Sequence, residues 1–320
     1  MRVLVTGGAG YIGSHLVDAL CEAGHEVRVL DNLSTGKAEN LAGRLDRVHL
    51  VNGSILDAEI VEQEVAAAQL VFHLAAAVGV RHIVDDPLNS LLTNTRGTEN
   101  VLAACFRHWR KVLVASTSEV YGKTSKFPMS EDDDRVLGST SVHRWSYSTA
   151  KAIDEHLALA YAAKQLPIVI VRYFNSYGPR IDERGYGSVV ANFLRQATAG
   201  EPLTVHGDGS QSRCFTYVDD TVRGTMLAAF TPEAEGLVFN LGSTRETPIL
   251  ELAELIKQSV GSDSPIAPTS YESYYGPGFE DTRRRVPDVS RAREILDWEP
   301  TITLEDGLAR TIEWWVKTHG

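Results

Sequence analysis

The chain has 320 residues, 43% of them hydrophobic and 23% charged, which suits one large α/β domain or a nucleotide-binding domain with a smaller lobe. A formal net charge of -11 argues against a nucleic-acid partner, which needs a basic surface, and favours a small-molecule ligand. No apolar run approaches the roughly 20 residues of a membrane span and no cleavable leader follows Met1, so we expect a cytoplasmic protein without a membrane partner.

A glycine-rich turn follows the first predicted strand. Residues 3–6 form a short apolar run, Gly7, Gly10 and Gly13 come next, and a helical pattern begins at Ile12. Such a turn lets the backbone approach a pyrophosphate, which the free N–H groups and positive end of the helix then hold. The string alone is weak evidence because glycine-rich turns are common, so its context has to support it.

The second predicted strand supplies that context. It covers residues 27–30 and ends on Asp31, about 20 residues beyond the glycines, where a carboxylate binds the ribose hydroxyls of adenosine. Asp31 therefore favours NAD over NADP as the cofactor. The structural alternative is a strand-end carboxylate that caps the loop of residues 32–36, and Arg28 or Lys37 could instead hold a 2′-phosphate.

The alternation of strands and helices continues along the first half of the chain. Further strands are predicted at residues 48–51, 70–74, 112–115 and 168–173, with helices at 57–68, 88–108 and 147–164. This order is typical of an α/β fold, a Rossmann-type doubly wound parallel sheet. We expect it to form an NAD-binding domain over residues 1–175.

The pattern loosens after residue 175. Short strands are predicted near residues 203–206 and 237–241, and helices near 188–198, 219–230, 249–260, 290–296 and 304–317. We expect residues 176–320 to form a smaller α/β lobe that binds the substrate, with some of its elements interleaved with the first domain.

A tyrosine and a lysine provide a candidate base. Tyr147 and Lys151 are four positions apart on a predicted helix, so both lie on one face. A nearby cation lowers the pKa of a phenol because it favours the phenolate, which suits removal of a hydroxyl proton near neutral pH.

Polar residues follow directly on the strand at residues 112–115. Ligands bind at the carboxyl edge of an open parallel sheet, so we expect Thr117, Ser118 and Glu119 to face the crevice that holds the cofactor. The cysteines at 21, 105 and 214 have neither metal-ligand spacing nor an even count, and we interpret them as buried small residues with no metal site.

Together these motifs resemble the extended short-chain dehydrogenase/reductase family of NAD-dependent nucleotide-sugar epimerases, dehydratases and decarboxylases. The similar stretches are residues 7–13, 31–36, 73–76, 116–122, 147–151, 172–175, 213–220 and 298–300. The similarity is greatest to the UDP-glucuronate decarboxylase (UDP-xylose synthase) and UDP-apiose/xylose synthase group.

The resemblance implies a shared first step. NAD+ removes hydride from sugar C4 while Tyr147 takes the hydroxyl proton, Lys151 holds the nicotinamide ribose and Thr117 hydrogen-bonds the 4-hydroxyl. The resulting 4-keto sugar then loses carbon dioxide, loses water or is reduced from its other face. The family commonly forms homodimers through two helices, here those near residues 88–108 and 147–164.

The predicted site residues fall into three sets. The cofactor set is Gly7, Gly10, Tyr11, Ile12, Gly13, Asp31, Asn32, Ser34, Thr35, Gly36, Ser54, Ile55, Leu74, Ala75, Ala76, Asn94, Ser116, Tyr147, Lys151 and Tyr173. The set for a UDP-sugar substrate is Arg81, Thr117, Glu119, Tyr147, Asn175, Val190, Arg213, Tyr275 and Arg285. The catalytic set is Thr117, Ser118, Glu119, Tyr147 and Lys151.

Glu119 distinguishes best between the possible outcomes. Simple 4-epimerases usually have a small or apolar residue there, whereas a Thr-Ser-Glu sequence resembles the decarboxylases, as do Arg144-Trp145 and the stretch from 274 to Arg285. Ser118 replaces the aspartate of the dehydratases, and Arg81 is more typical of hexuronate 4-epimerases. The structural alternative for Glu119 is a carboxylate that satisfies loop amides.

The leading hypothesis is therefore a UDP-glucuronate decarboxylase, and the main alternative is a UDP-glucose or UDP-glucuronate 4-epimerase. An NDP-glucose 4,6-dehydratase and a non-catalytic NAD-binding protein are weaker alternatives. One departure from the family pattern is Ser54, which stands where an aspartate usually contacts the adenine, with Asp57 nearby.

Overall fold

The structure is a computed structural model that describes residues 1–79, 86–182, 188–271 and 280–319. Arg81 and Tyr275, both predicted to contact the substrate, lie outside the described residues, as does most of the stretch 274–281.

A parallel sheet forms the centre of the fold, as predicted. Within the described residues it has seven strands in the order β11-β6-β5-β4-β1-β2-β3. The strands are β1 (Arg2–Thr6), β2 (Glu26–Asp31), β3 (Val48–Asn52), β4 (Leu70–His73), β5 (Lys111–Thr117), β6 (Ile168–Tyr173) and β11 (Val238–Leu241). Every neighbouring pair is parallel.

Helices cover both faces of this sheet because the strands are apolar on both sides. Val169 and Val171 belong to the core on one face, and Ile168 and Ile170 to the core on the other. The helices are α1 (Tyr11–Glu22), α2 (Ala58–Ala67), α3 (Pro87–His108), α4 (Arg144–Ala162), α5 (Val189–Thr198), α6 (Val218–Phe230), α7 (Ile249–Val260), α8 (Ser290–Leu296) and α9 (Leu304–His319). The predicted doubly wound α/β class is confirmed.

Residues after 175 contribute to the main sheet as well as to smaller sheets. Strand β11 pairs with β6 at the sheet edge, and α6 packs against α1. The remaining strands are β7 (Ser176–Tyr177), β8 (Leu203–His206), β9 (Ser212–Cys214), β10 (Thr216–Tyr217), β12 (Glu246–Pro248) and β13 (Ile266–Thr269). Within the described part of the chain they form three two-stranded sheets, β7 with β10, β8 with β13 and β9 with β12.

Asp220 on α6 joins two of the sequence motifs. Its carboxylate accepts hydrogen bonds from the backbone N–H groups of Thr301 and Ile302 at 2.9 and 2.8 Å, and its carbonyl accepts from Trp298 Nε1 at 3.0 Å. A Cβ atom on Gly224 would lie 2.8 Å from Trp298 Nε1, so a glycine is needed there. The motif at 213–220 thus fixes the segment at 298–302.

The described residues contain no helix long and apolar enough to span a membrane. The three cysteines are free and buried, as predicted.

Candidate active site

The glycine turn lies at the carboxyl edge of the sheet, between β1 and α1. Gly7 has a φ of 72°, and a Cβ atom on Gly13 would lie only 2.1 Å from the Gly7 carbonyl oxygen. Both positions therefore require glycine. Gly10 is the N-cap of α1 and no described side chain caps this helix end, so its N–H groups suit an anionic ligand such as a pyrophosphate.

Asp31 ends β2 beside this turn, and both its carboxylate oxygens accept backbone hydrogen bonds. Ala9 N–H donates at 2.9 Å and Leu33 N–H at 2.8 Å, so the predicted structural role is present. Each oxygen retains a second lone pair for a ribose hydroxyl. A Cβ atom on Gly36 would lie 3.0 Å from both oxygens, so glycine leaves that side of the carboxylate open. Burial raises the pKa of Asp31, and the two N–H groups lower it.

Arg28, one of the two cations considered for binding a 2′-phosphate, already has an ion-pair partner. Arg28 forms a two-point ion pair with Glu64, at 2.8 and 2.9 Å, which engages its guanidinium away from the turn. In the loop after Asp31, Asn32 Oδ1 accepts from Ser34 N–H at 3.1 Å and from the Ser34 hydroxyl at 2.7 Å. The loop from Asn32 through Thr35 to Gly36 is therefore held in a turn beside Asp31.

The predicted cofactor residues after β3 and β4 lie at the same edge. Ser54 Oγ accepts from Leu56 N–H at 3.2 Å, and the Ile55 carbonyl accepts from an asparagine of α3. Asp57 caps the start of α2. The segment of Leu74, Ala75 and Ala76 crosses the glycine turn, where a Cβ atom on Gly7 would meet Ala75 N at 2.7 Å.

Three of the predicted cofactor side chains are engaged with protein groups. Asn94 accepts from Ala77 N–H at 2.7 Å and donates to the Ala77 carbonyl at 3.2 Å. The Ser116 hydroxyl donates to Glu155, and the Tyr173 hydroxyl lies 2.8 Å from that of Thr225. Each of these side chains therefore has a protein partner at the edge of the site.

Tyr147 lies on α4 beside Thr117, the last residue of β5. Thr117 caps the short 3₁₀ helix Ser118–Tyr121 by accepting from Glu119 N–H at 3.2 Å. The buried Ser118 comes next in the chain. The structure thus brings Thr117 and Tyr147 together, as predicted for a pair that contacts one hydroxyl.

The pKa of Tyr147 differs from the sequence-based expectation. Burial raises it well above the ordinary value for tyrosine, the carboxylates of Glu119 and Asp154 raise it further, and Thr117 and Arg144 lower it. The expected lowering is therefore wrong for this arrangement, because burial disfavours the charged phenolate and Lys151 is already in a 2.8 Å ion pair with Asp154.

Glu119 forms ion pairs with two arginines. Arg144 in the first turn of α4 contacts both carboxylate oxygens, with Nη2 3.0 Å from Oε1, and Arg285 Nη2 lies 3.2 Å from the same oxygen. Although burial opposes ionisation, the two guanidinium groups lower the pKa of Glu119 from 4.5 to about 2. Glu119 is therefore a carboxylate throughout the neutral range, and its side chain does not satisfy loop amides.

Arg144 is absent from the predicted site residues. Its sequence signal was the resemblance of Arg144-Trp145 to the decarboxylases, but the predicted helix began at residue 147. The helix in fact begins at Arg144, which turns this buried guanidinium toward Glu119.

A third arginine completes a positively charged cluster. Arg213 Nη2 lies 2.9 Å from Asp281 Oδ2, and the other oxygen of Asp281 lies 3.8 Å from Arg144. We call Arg144, Arg213, Arg285, Glu119 and Asp281 the arginine cluster. Its three cations exceed its two anions by one charge, which suits an anionic substrate.

The last predicted substrate residues lie on neighbouring elements. Asn175 follows β6 with a φ of 39°, and its Nδ2 lies 3.5 Å from the carbonyl of Cys214. Val190 is buried on α5. The described residues contain no group of His, Cys, Asp and Glu arranged to hold a metal ion.

A buried ion pair supports the strand ends that carry these residues. Arg172 on β6 contacts both oxygens of Glu155 at 2.9 and 2.7 Å and donates to the Tyr121 hydroxyl at 2.8 Å. Tyr121 donates in turn to Asn240 on β11 at 2.7 Å. This network connects β5, β6, β11 and α4 beneath the site.

Comparison with known proteins agrees with this geometry. The model of the NAD dependent epimerase/dehydratase family matches residues 3–242. A UDP-N-acetyl-alpha-D-glucosaminuronate decarboxylase of Bacillus cytotoxicus is 44% identical over 98% of this chain and 97% of that protein. UDP-glucuronic acid decarboxylase 1 of Xenopus tropicalis is 38% identical over 99% of this chain and 72% of that protein. The crystal structure of UDP-glucose 4-epimerase with UDP-glucose from Thermotoga maritima has a TM-score of 0.91 at 36% identity and covers 100% of both chains.

Proposed function

Because the chain belongs to the NAD-dependent epimerase/dehydratase family, we propose that it decarboxylates a UDP-linked hexuronate through a 4-keto intermediate. It is an NAD-dependent nucleotide-sugar enzyme, and related decarboxylases match it over nearly its whole length. The observation that carries the proposal is the ionised Glu119, held by Arg144 and Arg285 next to Tyr147.

We assign cofactor binding to residues 1–175 and most substrate binding to residues 176–320, together with the strand-end residues 117–119. The glycine turn and the N-terminus of α1 suit the pyrophosphate of NAD, and Asp31 suits its adenosine ribose. Bound NAD+ supplies a reversible hydride acceptor for sugar C4.

Residues of this chain accept the hydroxyl proton and stabilise the negative charge that develops on the sugar. Tyr147 takes the proton of the 4-hydroxyl, which Thr117 orients. A ketone at C4 makes the C6 carboxylate a β-keto acid, so the C5–C6 bond breaks, carbon dioxide leaves and the electron pair forms an enolate. The protonated Tyr147 and Thr117 can then donate hydrogen bonds to the O4 of that enolate.

We infer that the arginine cluster recognises the anionic groups of the uronate substrate. Its excess positive charge attracts the sugar carboxylate and the diphosphate, while Glu119 limits how firmly Arg144 and Arg285 can hold either. A carboxylate that is held loosely beside a fixed anion leaves more readily than one in a strong ion pair. Glu119 therefore favours decarboxylation over stable binding of the uronate.

The first experiment counts sugar carbons. We expect the purified protein with NAD+ to convert a UDP-hexuronate to a UDP-pentose with release of carbon dioxide, measured by mass spectrometry. UDP-glucose, which lacks the carboxylate, serves as the control and tests the 4-epimerase alternative, which the similarity to the Thermotoga maritima epimerase supports. Products that keep six sugar carbons would contradict decarboxylation.

The same assay compares two uronates that differ at C2. The relative at 44% identity is named for UDP-N-acetylglucosaminuronate and the one at 38% for UDP-glucuronic acid. We propose that both fit the site. We expect the N-acetylated substrate to give the larger kcat/KM, and equal values would mean that the C2 group is not recognised.

We further propose that the enzyme is a homodimer that pairs through the outer faces of α3 and α4. Leu88 on α3 is 66% exposed, and Ile153 on α4 is 41% exposed. Ile153→Glu is expected to increase the monomer fraction in sedimentation velocity, because a charge would be buried in the interface. Leu250→Glu, at a similarly exposed position on α7, is the control, and an equal effect of both variants would contradict this interface.

We propose the cytoplasm as the working compartment. Cys21, Cys105 and Cys214 are all free thiols, which suits a reducing compartment.

A further inference from the structure

A buried aspartate follows the catalytic lysine by one helical turn. Asp154 Oδ2 lies 2.8 Å from Lys151 Nζ, and the side chains are 0% and 3% exposed. A carboxylate without solvent is costly to bury unless a cation compensates it, and Lys151 does so here. The nucleotide-sugar chemistry described above assigns no role to Asp154.

A buried hydrogen-bonded chain ends beside Asp154. Thr98 on α3 lies beside Asp154 and is 3.0 Å from His73 Nε2, and His73 Nδ1 lies 2.8 Å from the Thr6 hydroxyl. The second carboxylate oxygen of Asp154, Oδ1, is buried and has no hydrogen-bond partner among the described residues. Thr6 directly precedes Gly7 and accepts from Ala75 N–H at 3.2 Å. The chain thus runs from the residue before the glycine turn to Thr98, beside Asp154.

His73 transmits hydrogen bonds in this chain without carrying a charge. Burial and the nearby Lys151 lower its pKa to about 3, so the imidazole is neutral at working pH. A neutral imidazole has one donor and one acceptor nitrogen. When Thr6 donates to Nδ1, Nε2–H donates to Thr98.

Charged groups on α4 and after β5 influence Tyr147 and Asp154. Tyr147 is influenced by Glu119 after β5 and by Arg144 and Asp154 on its own helix. Asp154 is influenced by Lys151 and Glu155 on the same helix and by Thr98 on α3. Glu155 is itself paired with Arg172 on β6. Asp154 is therefore the anion that directly compensates Lys151.

We propose that Asp154 is a positioning residue that anchors the Lys151 ammonium and sets the pH range in which Tyr147 exchanges a proton with the sugar hydroxyl. This inference rests on the proposed function in that Tyr147 must be the acid–base residue. It adds the hydrogen-bonded chain of Thr6, His73 and Thr98 as the polar surface beside which Asp154 is buried.

The sign of the effect follows from the charge. A negative Asp154 disfavours the phenolate of Tyr147, so Asp154→Asn should lower the pH at which Tyr147 ionises. In this variant Lys151 would also carry a positive charge without a direct counter-charge, and this too favours the phenolate of Tyr147. We expect the acidic limb of kcat/KM against pH to move down by about one pH unit, the size of shift that one nearby charge produces.

The decisive measurement titrates Tyr147 without substrate. In protein labelled with ¹³C at tyrosine Cζ, the Tyr147 signal is assigned by its loss in Tyr147→Phe, and its titration is compared between wild type and Asp154→Asn. We expect Asp154→Asn to titrate about one pH unit lower. Asp154→Glu, which keeps the charge, should titrate near wild type, and Asp154→Ala replaces Asp154→Asn if that variant does not fold.

Asp220→Asn provides the matched control. Asp220 is another buried aspartate with an ion pair at 2.7 Å, to Arg223, but it lies in the C-terminal motif. It should lower stability and leave the Tyr147 titration unchanged. Unchanged titration in Asp154→Asn, or an equal shift in Asp220→Asn, would overturn the inference. Because this readout needs no substrate, inactivity of the wild type on all UDP-uronates would contradict the proposed function instead.

Discussion

Tyr147→Phe is expected to lower kcat for decarboxylation by about 10²- to 10⁴-fold, the usual contribution of a positioned acid–base group. The phenyl ring fills the same buried space, so KM should change little and the free energy of unfolding should fall by no more than about 1 kcal/mol, the size of one buried hydroxyl interaction. Steady-state kinetics and urea unfolding measure the two effects.

Tyr177→Phe separates the catalytic effect from the loss of a buried hydroxyl. Tyr177 is also buried, and its hydroxyl donates to the Leu304 carbonyl at 3.1 Å, away from the strand-end residues. We expect a similar loss of stability with unchanged kcat. If Tyr147→Phe kept more than about a tenth of the wild-type kcat, another group would have to take the proton.

Glu119→Gln is expected to have the second large effect, on stability and reaction together. The amide leaves Arg144 and Arg285 buried without their ionised partner, and breaking such a pair costs about 3–5 kcal/mol. The ion pair of Arg144 with Asp281 is longer, at 3.8 Å, and compensates only in part. Decarboxylation should fall by at least about 100-fold, because several kcal/mol of positioning energy are lost.

The reaction step affected distinguishes two roles of Glu119. Formation of NADH in a single turnover reports C4 oxidation, and release of carbon dioxide reports the next step. We expect Glu119→Gln to impair carbon dioxide release more than C4 oxidation or C4 epimerisation. Equal losses would mean that the carboxylate only maintains the structure.

Glu64→Gln is the matched control for this substitution. Glu64 forms a similar two-point ion pair with Arg28, on the opposite part of the sheet from α4. It should lower the free energy of unfolding by less, because Arg28 is 21% exposed, and leave the rate of carbon dioxide release unchanged.

The pH dependence of stability provides a further check on Glu119. Its pKa falls from 4.5 to about 2 in the folded protein, so its stabilising contribution is complete above about pH 4.5 and is lost as the pH falls toward 2. The difference in unfolding free energy between wild type and Glu119→Gln should therefore shrink over that interval. A constant difference would show that ionisation of Glu119 contributes little.

The arginine cluster shows which part of the site sequence patterns could predict. Glu119 was identified from its place after a strand and its resemblance to decarboxylases, but its partners lie 25 and 166 positions away. Spacing rules describe neighbours on one helix or strand, so they predict the Tyr147 and Lys151 face but not these ion pairs. Arg144 was missed for the further reason that helix boundaries are poorly marked in sequence.

Lys151 illustrates the same limit at short range. Asp154 is only three positions away and was visible in the sequence, yet an aspartate one turn along a helix is ordinarily a solvated surface residue. Its burial results from the packing of α3 and α4 over the sheet. The packing changed an expected lowering of the Tyr147 pKa into an increase, because burial and two carboxylates outweigh the compensated lysine.

The sequence by itself determined the doubly wound sheet and the cofactor class, and it predicted Tyr147 as the acid–base residue, because apolar periodicity, a glycine turn and helix spacing act over a few residues. Only the tertiary structure decided what surrounds those groups: the two arginines on Glu119, the aspartate on Lys151 and the backbone donors on Asp31. Ionisation depends on such neighbours and on burial, and both arise when distant segments pack at the sheet edge.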